Sequence, residues 1–317
     1  MFPMLRQAYS AQTPLFTGTE VVNSSTGLQQ GDPLAPLCFA LAIDECIRPI
    51  SSEINIWYLD DGVLGGAPET IATELDTLRR KLLDIGLQMN TAKCEVTFLG
   101  ERGSQQHREA LAHVRQILPD LKEVDPSELT LLGSPLSEGG LESAIEKAKN
   151  NINRLCQRIL SLDAHTAMFF LTHYVSAPQL TYLLRSAPVF KRKQKLSEID
   201  DLLRATLSQT VNVHMRDDMW EQATLPTRHG GLGIRRLTDL AIPCFVSSVK
   251  SCASLMSQIT PPSQEAEGLS LVDEAVESFK SETSCQEVPE DDAALRQKNW
   301  TELAARSRRN LIMRSID

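Results

Sequence analysis

Two adjacent aspartates, Asp60 and Asp61, stand between two short β-rich runs in the segment INIWYLDDGVLGG. Neighbouring carboxylates on a tight turn repel each other unless a cation neutralises them, and carboxylate oxygens suit hard divalent ions. The pair reads as a candidate metal site, with a plain solvent-facing Asp-Asp-Gly turn as the alternative. Gln30 and Gly31 precede it in a polar loop, and Lys93 follows it in GLQMNTAKC. Far downstream, Lys191, Arg192, Lys193 and Lys195 place four cations within five positions, a candidate contact for phosphates.

Several elements must position these residues. Gly31 ends a loop, Asp32 is a good helix cap, and Pro33 suits a first helical position. Leu34, Leu37, Cys38, Leu41 and Ala42 then recur at helical spacing up to Pro49. The segment 54–66 reads as a hairpin turning at Asp60-Asp61-Gly62, with Ile54, Ile56 and Tyr58 anchoring one face. An amphipathic helix follows, carrying Ile71, Leu75, Leu78 and Leu82 on one face and closing near Gly86. A turn around Asn90 and Lys93 leads to a strand, CEVTFLG, then a polar loop, then a short apolar strand, LTLLGSPL. The fold class expected for residues 1–140 is α+β, with helices on a small antiparallel sheet.

From Leu141 the pattern turns helical, with an apolar stripe of Ile145, Ala148, Ile152, Leu155, Ile159 and Leu162. Further helices are expected at 165–176, 179–186, 196–209 and 236–256, completing a helical region 141–256. Residues 257–317 read as a Pro-, Ser- and Glu-rich linker around one short helix, followed by a final helix at about 293–314.

The formal charge of −9 is unevenly spread. Residues 1–140 hold 10 basic and 19 acidic side chains, residues 141–240 hold 14 and 10, and the remainder holds 8 and 12. The middle segment could face a polyanion while the first faces metal ions or solvent; charge alone fits a mixed solvated surface equally well. Seven cysteines without a CxxC pair fit free thiols in a reducing, intracellular setting, and no Cys/His spacing matches a zinc site. No apolar run is read as long enough to span a membrane, and no signal peptide is read at the start. The GGLG at Gly230–Gly233 lacks the residues of a phosphate-binding loop and reads as a turn or a close-packed segment, with His229 beside it as a surface or packing histidine rather than a catalyst.

Taken in order, QGDPLAP, YLDD, GLQMNTAKC and LTLLG resemble the motif series of reverse transcriptases, especially those of non-LTR retrotransposons. The resemblance covers residues 1–140 and continues more loosely through APQLTYLLRSAP and LPTRHGGLGIR. It implies a partial polymerase palm followed by a mostly helical thumb, acting on an RNA template, a DNA primer and deoxynucleoside triphosphates with Mg²⁺. By the same resemblance, Gln30 and Gly31 lie near the template base and incoming nucleotide, and Tyr58 lies near the primer end. Asp60 is the metal ligand, supported by Asp61. Lys93 approaches the triphosphate, unless it is only an exposed turn lysine, and Leu132 and Gly133 form the primer-grip hairpin. The family's other metal-binding aspartate belongs to a strand upstream of QGDP, where this sequence offers only Glu20. The expectation is therefore a polymerase domain truncated at its N-terminus, or a non-catalytic remnant that at most binds nucleic acid.

Overall fold

The computed structural model of the chain describes residues 2–259 and 265–316. The chain divides into two compact units, Met1–Pro126 and Ser127–Asp317. The fold is α+β: helices dominate, and the strands form small two-stranded sheets, three of them antiparallel.

In the first unit the order is α1 (Phe2–Tyr9), β1 (Thr13–Thr17), β2 (Glu20–Ser24), α2 (Ala35–Ile47), β3 (Ile54–Tyr58), β4 (Asp61–Gly65), α3 (Pro68–Asp84), β5 (Glu95–Val96), α4 (Gln105–Ile117) and β6 (Lys122–Glu123). Two cores hold it. Ile43 and Cys46 of α2 meet Leu78 and Leu82 of α3, with Trp57 and Leu64 of the β3–β4 hairpin packed against them. Leu75 of α3 meets Val114, Leu118 and Leu121 around α4. The α3 stripe is the expected one, and the helix ends as anticipated: the Leu87 N–H reaches the Leu82 carbonyl at 2.8 Å and the Gly86 N–H reaches Leu83 at 3.0 Å.

Three local readings need correction. The supposed polar loop after β5 contains α4, whose cap is Ser104 accepting the His107 N–H at 3.1 Å. Helix α2 starts at Ala35 rather than Pro33, because residues 32–35 form a separate turn closed by the Ala35 N–H on the Asp32 carbonyl at 3.0 Å. Its buried face is Ile43 and Cys46, flanked by Phe39 and Ile47, while Leu37 and Leu41 are exposed. A helix so apolar overall has no single face that composition can identify.

The second unit runs β7 (Thr130–Leu131), β8 (Ser134–Pro135), α5 (Glu138–Ile159), α6 (Ala164–Phe170), a π-helical turn (Leu171–Val175), α7 (Thr181–Ser186), α8 (Lys193–Val211), α9 (Asp217–Ala223), α10 (Leu237–Ile259), α11 (Glu265–Thr283), α12 (Asp291–Ala294) and α13 (Gln297–Ile316). LTLLGSPL is thus a hairpin rather than one strand. The α5 stripe is buried at Ile145, Ile152 and Ile159, but Leu162 lies past the helix end and is exposed. The expected linker at 257–292 holds the 19-residue α11 among its described residues. There Val272, Ala275 and Phe279 bury against Trp300 of α13.

Helix α10 is long and apolar enough by length and composition to cross a membrane, correcting the reading that no segment reaches that size. Its buried side chains, from Leu237 to Ser247, line the unit's cores. The start of α10 is held by Asp200 of α8, which accepts the Leu237 N–H at 2.7 Å, the Thr238 N–H at 3.2 Å and the Thr238 hydroxyl at 2.7 Å. Burial pushes the Asp200 carboxyl up to about 6 in spite of these donors. Because the folded value lies above the ordinary 3.8, the folded chain binds this proton more tightly than the unfolded one. The Asp200 contribution therefore rises as pH falls from about 7 toward 4, and is lost as pH climbs through 6. Asp200→Asn leaves a backbone donor unpaired and is expected to cost about 1–3 kcal/mol at pH 7. Thermal melts of both proteins between pH 4 and 7 check this: the gap should change with pH, and a pH-independent gap would contradict it.

Candidate functional site

The β3–β4 hairpin turns through two residues, Leu59 and Asp60, with Tyr58 paired to Asp61. Asp60 is therefore on the turn, and Asp61 is the first residue of β4. This corrects the three-residue turn expected from Asp-Asp-Gly. Gly62 is a strand residue opposite Trp57, and a β-carbon there would come within 2.5 Å of the Trp57 ring. The glycine is needed because the indole lies across it. Leu59 carries the left-handed backbone of the turn, with φ of 55°, a conformation costing a non-glycine residue about 1–2 kcal/mol.

The anchoring face is also the opposite of the expected one. Ile54, Ile56 and Tyr58 are exposed, Tyr58 at 63%, while Trp57 packs inward. Asn55 accompanies Trp57 because it is fully satisfied there: its amide donates to the Ile47 carbonyl at 3.0 Å, and its oxygen accepts the Trp57 indole N–H at 2.8 Å. A polar side chain thus adds a donor to a carbonyl at the end of α2, which also accepts the Ile50 N–H at 3.1 Å. The approach to β3 is fixed by Glu74 of α3, which accepts from the backbone N–H of Ser51 at 2.6 Å and of Ser52 at 3.1 Å, and from both hydroxyls. Burial raises the Glu74 carboxyl, and these four donors outweigh it, leaving the group below its ordinary value.

Asp60 and Asp61 are both exposed. Among the described residues no group of three or more His, Cys, Asp or Glu could hold a metal ion. The hairpin offers two carboxylates from one strand turn, an incomplete donor set for divalent ions. Glu20 begins β2 and is exposed. That β1–β2 hairpin was not anticipated, although its two-residue Gly18-Thr19 turn between β-rich runs signals it.

Gln30 and Gly31 are exposed in the turn before α2. The loop is fixed from the α1 side, where the Tyr9 hydroxyl donates to Asp32. This bond, with the Leu34 N–H at 2.9 Å, holds the Asp32 carboxyl below its usual range. Asp32 is thus a turn-capping residue, and Tyr9 is a partner that sequence reasoning missed. Lys93 ends an exposed single-turn helix, Thr91–Lys93.

In the second unit, Leu132 and Gly133 form the two-residue turn of the β7–β8 hairpin, with φ of 50° and 78°. Two successive positive φ values match the twist of a tight hairpin. The Tyr182 hydroxyl donates to the Leu132 carbonyl and fixes the turn. Three of the four clustered cations are engaged by carboxylates: Lys191 by Glu274 at 2.7 Å, Arg192 by Glu142 at 3.2 Å and Glu138 at 3.4 Å, and Lys193 by Glu282 at 3.0 Å. Lys195 is half-buried. A phosphate would have to displace a carboxylate at three of these positions. His229 is half-buried, 2.9 Å from Glu302 of α13. All seven cysteines are free.

Residues 3–136 match the family model described as reverse transcriptase (RNA-dependent DNA polymerase). The matched region is less than half of the chain and contains the β3–β4 hairpin, the Gln30-Gly31 turn, Lys93 and the β7–β8 hairpin. No curated protein matches the chain.

Proposed function

We propose that the chain is palm-and-thumb material of an RNA-directed DNA polymerase from a non-LTR retrotransposon-type element, contributing part of its catalytic site. The observation that carries this is the anchored hairpin: a family match whose two exposed carboxylates sit on and beside a strained two-residue turn, braced by Trp57, Asn55 and Glu74. In this reading Asp60 is the principal metal ligand and Asp61 supports it, Tyr58 lies beside the primer end, and Gln30 and Gly31 meet the template base and incoming nucleotide. Lys93 approaches the triphosphate, Leu132 and Gly133 grip the primer, and residues 141–256 act as the thumb, where Lys191, Arg192, Lys193 and Lys195 are the first candidate phosphate contacts.

In phosphoryl transfer, divalent ions neutralise charge on the attacking and leaving oxygens. Two carboxylates from one hairpin do not complete such a site, so a further donor must be supplied from another strand. A second reading, a non-catalytic remnant that at most binds nucleic acid, draws on the same incomplete donor set. Fusing an aspartate-bearing palm strand and fingers from a related polymerase to the N-terminus separates the two. On an RNA template with Mg²⁺, the fusion should extend a DNA primer and Asp60→Ala should abolish extension. A fusion that is inactive, or equally active with Asp60→Ala, rejects the catalytic reading.

A further inference from the structure

Between residues 147 and 195 the sequence holds nine Lys and Arg but one acidic residue, Asp163. Asp163 is occupied as the cap of α6, accepting the Thr166 N–H at 3.1 Å. Lys149 is paired with Glu198. Lys147, Arg154 and Arg158 are different: all three are exposed on α5, and among the described residues none has a carboxylate within ion-pair distance. Their spacing of seven and four residues puts them on one face of the helix.

That face leads directly to a group of exposed rings. Arg154 donates to the Asn151 side chain at 2.7 Å, Asn151 donates to Gln179 at 2.9 Å, and Gln179 donates to the Tyr174 carbonyl at 2.9 Å. Around Tyr174, the α6 end and the π-helical turn present Phe169, Phe170 and His173. Phe169 stacks on His173 at 4.7 Å, and Phe170 and Phe169 lie 5.5 and 5.9 Å from Tyr174. Phe169 and Tyr174 are 49% and 54% exposed, so these rings are not core residues. Positions 169, 170, 173 and 174, one and four residues apart, share the outward side of the α6 end and the turn that continues it.

We propose that this surface binds single-stranded nucleic acid, with bases stacked on the Phe169–His173–Tyr174 rings and phosphates held by Lys147, Arg154 and Arg158. Exposed rings beside unpaired cations, joined by amide side chains, match the chemistry of an unpaired strand: planar faces, charge and hydrogen-bonding edges. An apolar protein partner would leave the cations unmatched, and a duplex would not offer its base faces to the rings. The surface lies wholly in the second unit and is independent of the hairpin carboxylates, so strand binding and primer extension can fail separately.

Fluorescence anisotropy of labelled oligouridylate and oligothymidylate of about 15 nucleotides on the full chain tests this, with a duplex of equal length as competitor. Either strand should bind, and the duplex should compete poorly. Phe169→Ala with Tyr174→Ala should weaken binding at least about tenfold while leaving its salt dependence unchanged, and Tyr174→Phe should retain binding. Replacing Lys147, Arg154 and Arg158 by alanine should flatten the log–log salt slope by about 2. Circular dichroism of each variant confirms folding. Absence of strand binding at low salt overturns the proposal. So does preference for the duplex, or loss of binding only in a Lys191→Ala, Lys193→Ala variant.

Discussion

Replacing Gly231 by alanine is expected to lower the melting temperature of the second unit by roughly 10–20 °C. A β-carbon at this position would overlap the Leu225 carbonyl, lying 2.5 Å from its carbon and 2.7 Å from the Gln222 oxygen. Both obstacles are backbone, so no side chain can move aside. The turn is also tied to the same segment by the Leu232 N–H on Ala223 at 2.9 Å, the Gly233 N–H on Leu225 at 3.0 Å and the Gly231 N–H on Pro226 at 3.2 Å. Relieving the overlap would pull these bonds apart beside Leu225 and Ile234, both buried. Overpacking together with the strained bonds amounts to ~3–6 kcal/mol, a large part of the stability of an ordinary domain. Gly230→Ala is the control. Its φ is +85° but a β-carbon there meets open space, so it should cost only about 1–2 kcal/mol. A melting temperature for Gly231→Ala within a few degrees of the parent would show that the turn yields more easily than its geometry implies.

The same turn shows how much could be read in advance. GGLG lacked the partners of a phosphate loop, so a turn or close packing was the remaining reading, but which glycine was pressed against backbone depends on contacts six and nine residues away. Helix α3 was legible because Leu75, Leu78 and Leu82 form one clean stripe on an otherwise polar helix. Helix α11 was expected only as one short helix in a linker, since Val272, Ala275 and Phe279 are sparse among acidic and serine residues, and its burial comes from Trp300, far along the chain. The hairpin at Asp60-Asp61 was found by its β-rich runs, yet its inward face was misassigned. Alternation fixes which residues share a face but not which face is inward. Here Trp57 decides it, and Asn55 follows because the α2 carbonyls satisfy it. The chemistry-bearing residues were visible as types and spacings. Tyr9 and Tyr182 lie 23 and 50 residues from their partners Asp32 and Leu132, and Glu74 lies 23 and 22 residues from Ser51 and Ser52, which lead into β3; nothing local announces such contacts.

The 317-residue chain by itself is expected not to extend a primer, falling at least about a thousandfold below the fusion that supplies a second aspartate-bearing strand. Mg²⁺ parts with its water reluctantly and demands near-ideal octahedral geometry, so an isolated exposed carboxylate pair holds it weakly. Asp60 on the turn and Asp61 at the start of β4 are adjacent residues of one hairpin, and no third ligand joins them among the described residues. One hairpin cannot hold two ions in register for in-line displacement, where the ions must meet both the attacking and the leaving oxygen. Positioning and charge neutralisation carry most of the catalysis in this reaction class, so losing them removes nearly all of the rate rather than a fraction. The measurement is single-turnover extension on an RNA template with Mg²⁺, run beside the fusion and its Asp60→Ala variant. Robust incorporation by the unfused chain, abolished by Asp60→Ala, would refute this account and require another ligand within the chain. Glu20, at the start of the exposed β2 strand, would be the first to replace: if Glu20→Gln then removed the activity, the donor set would be complete without any added strand.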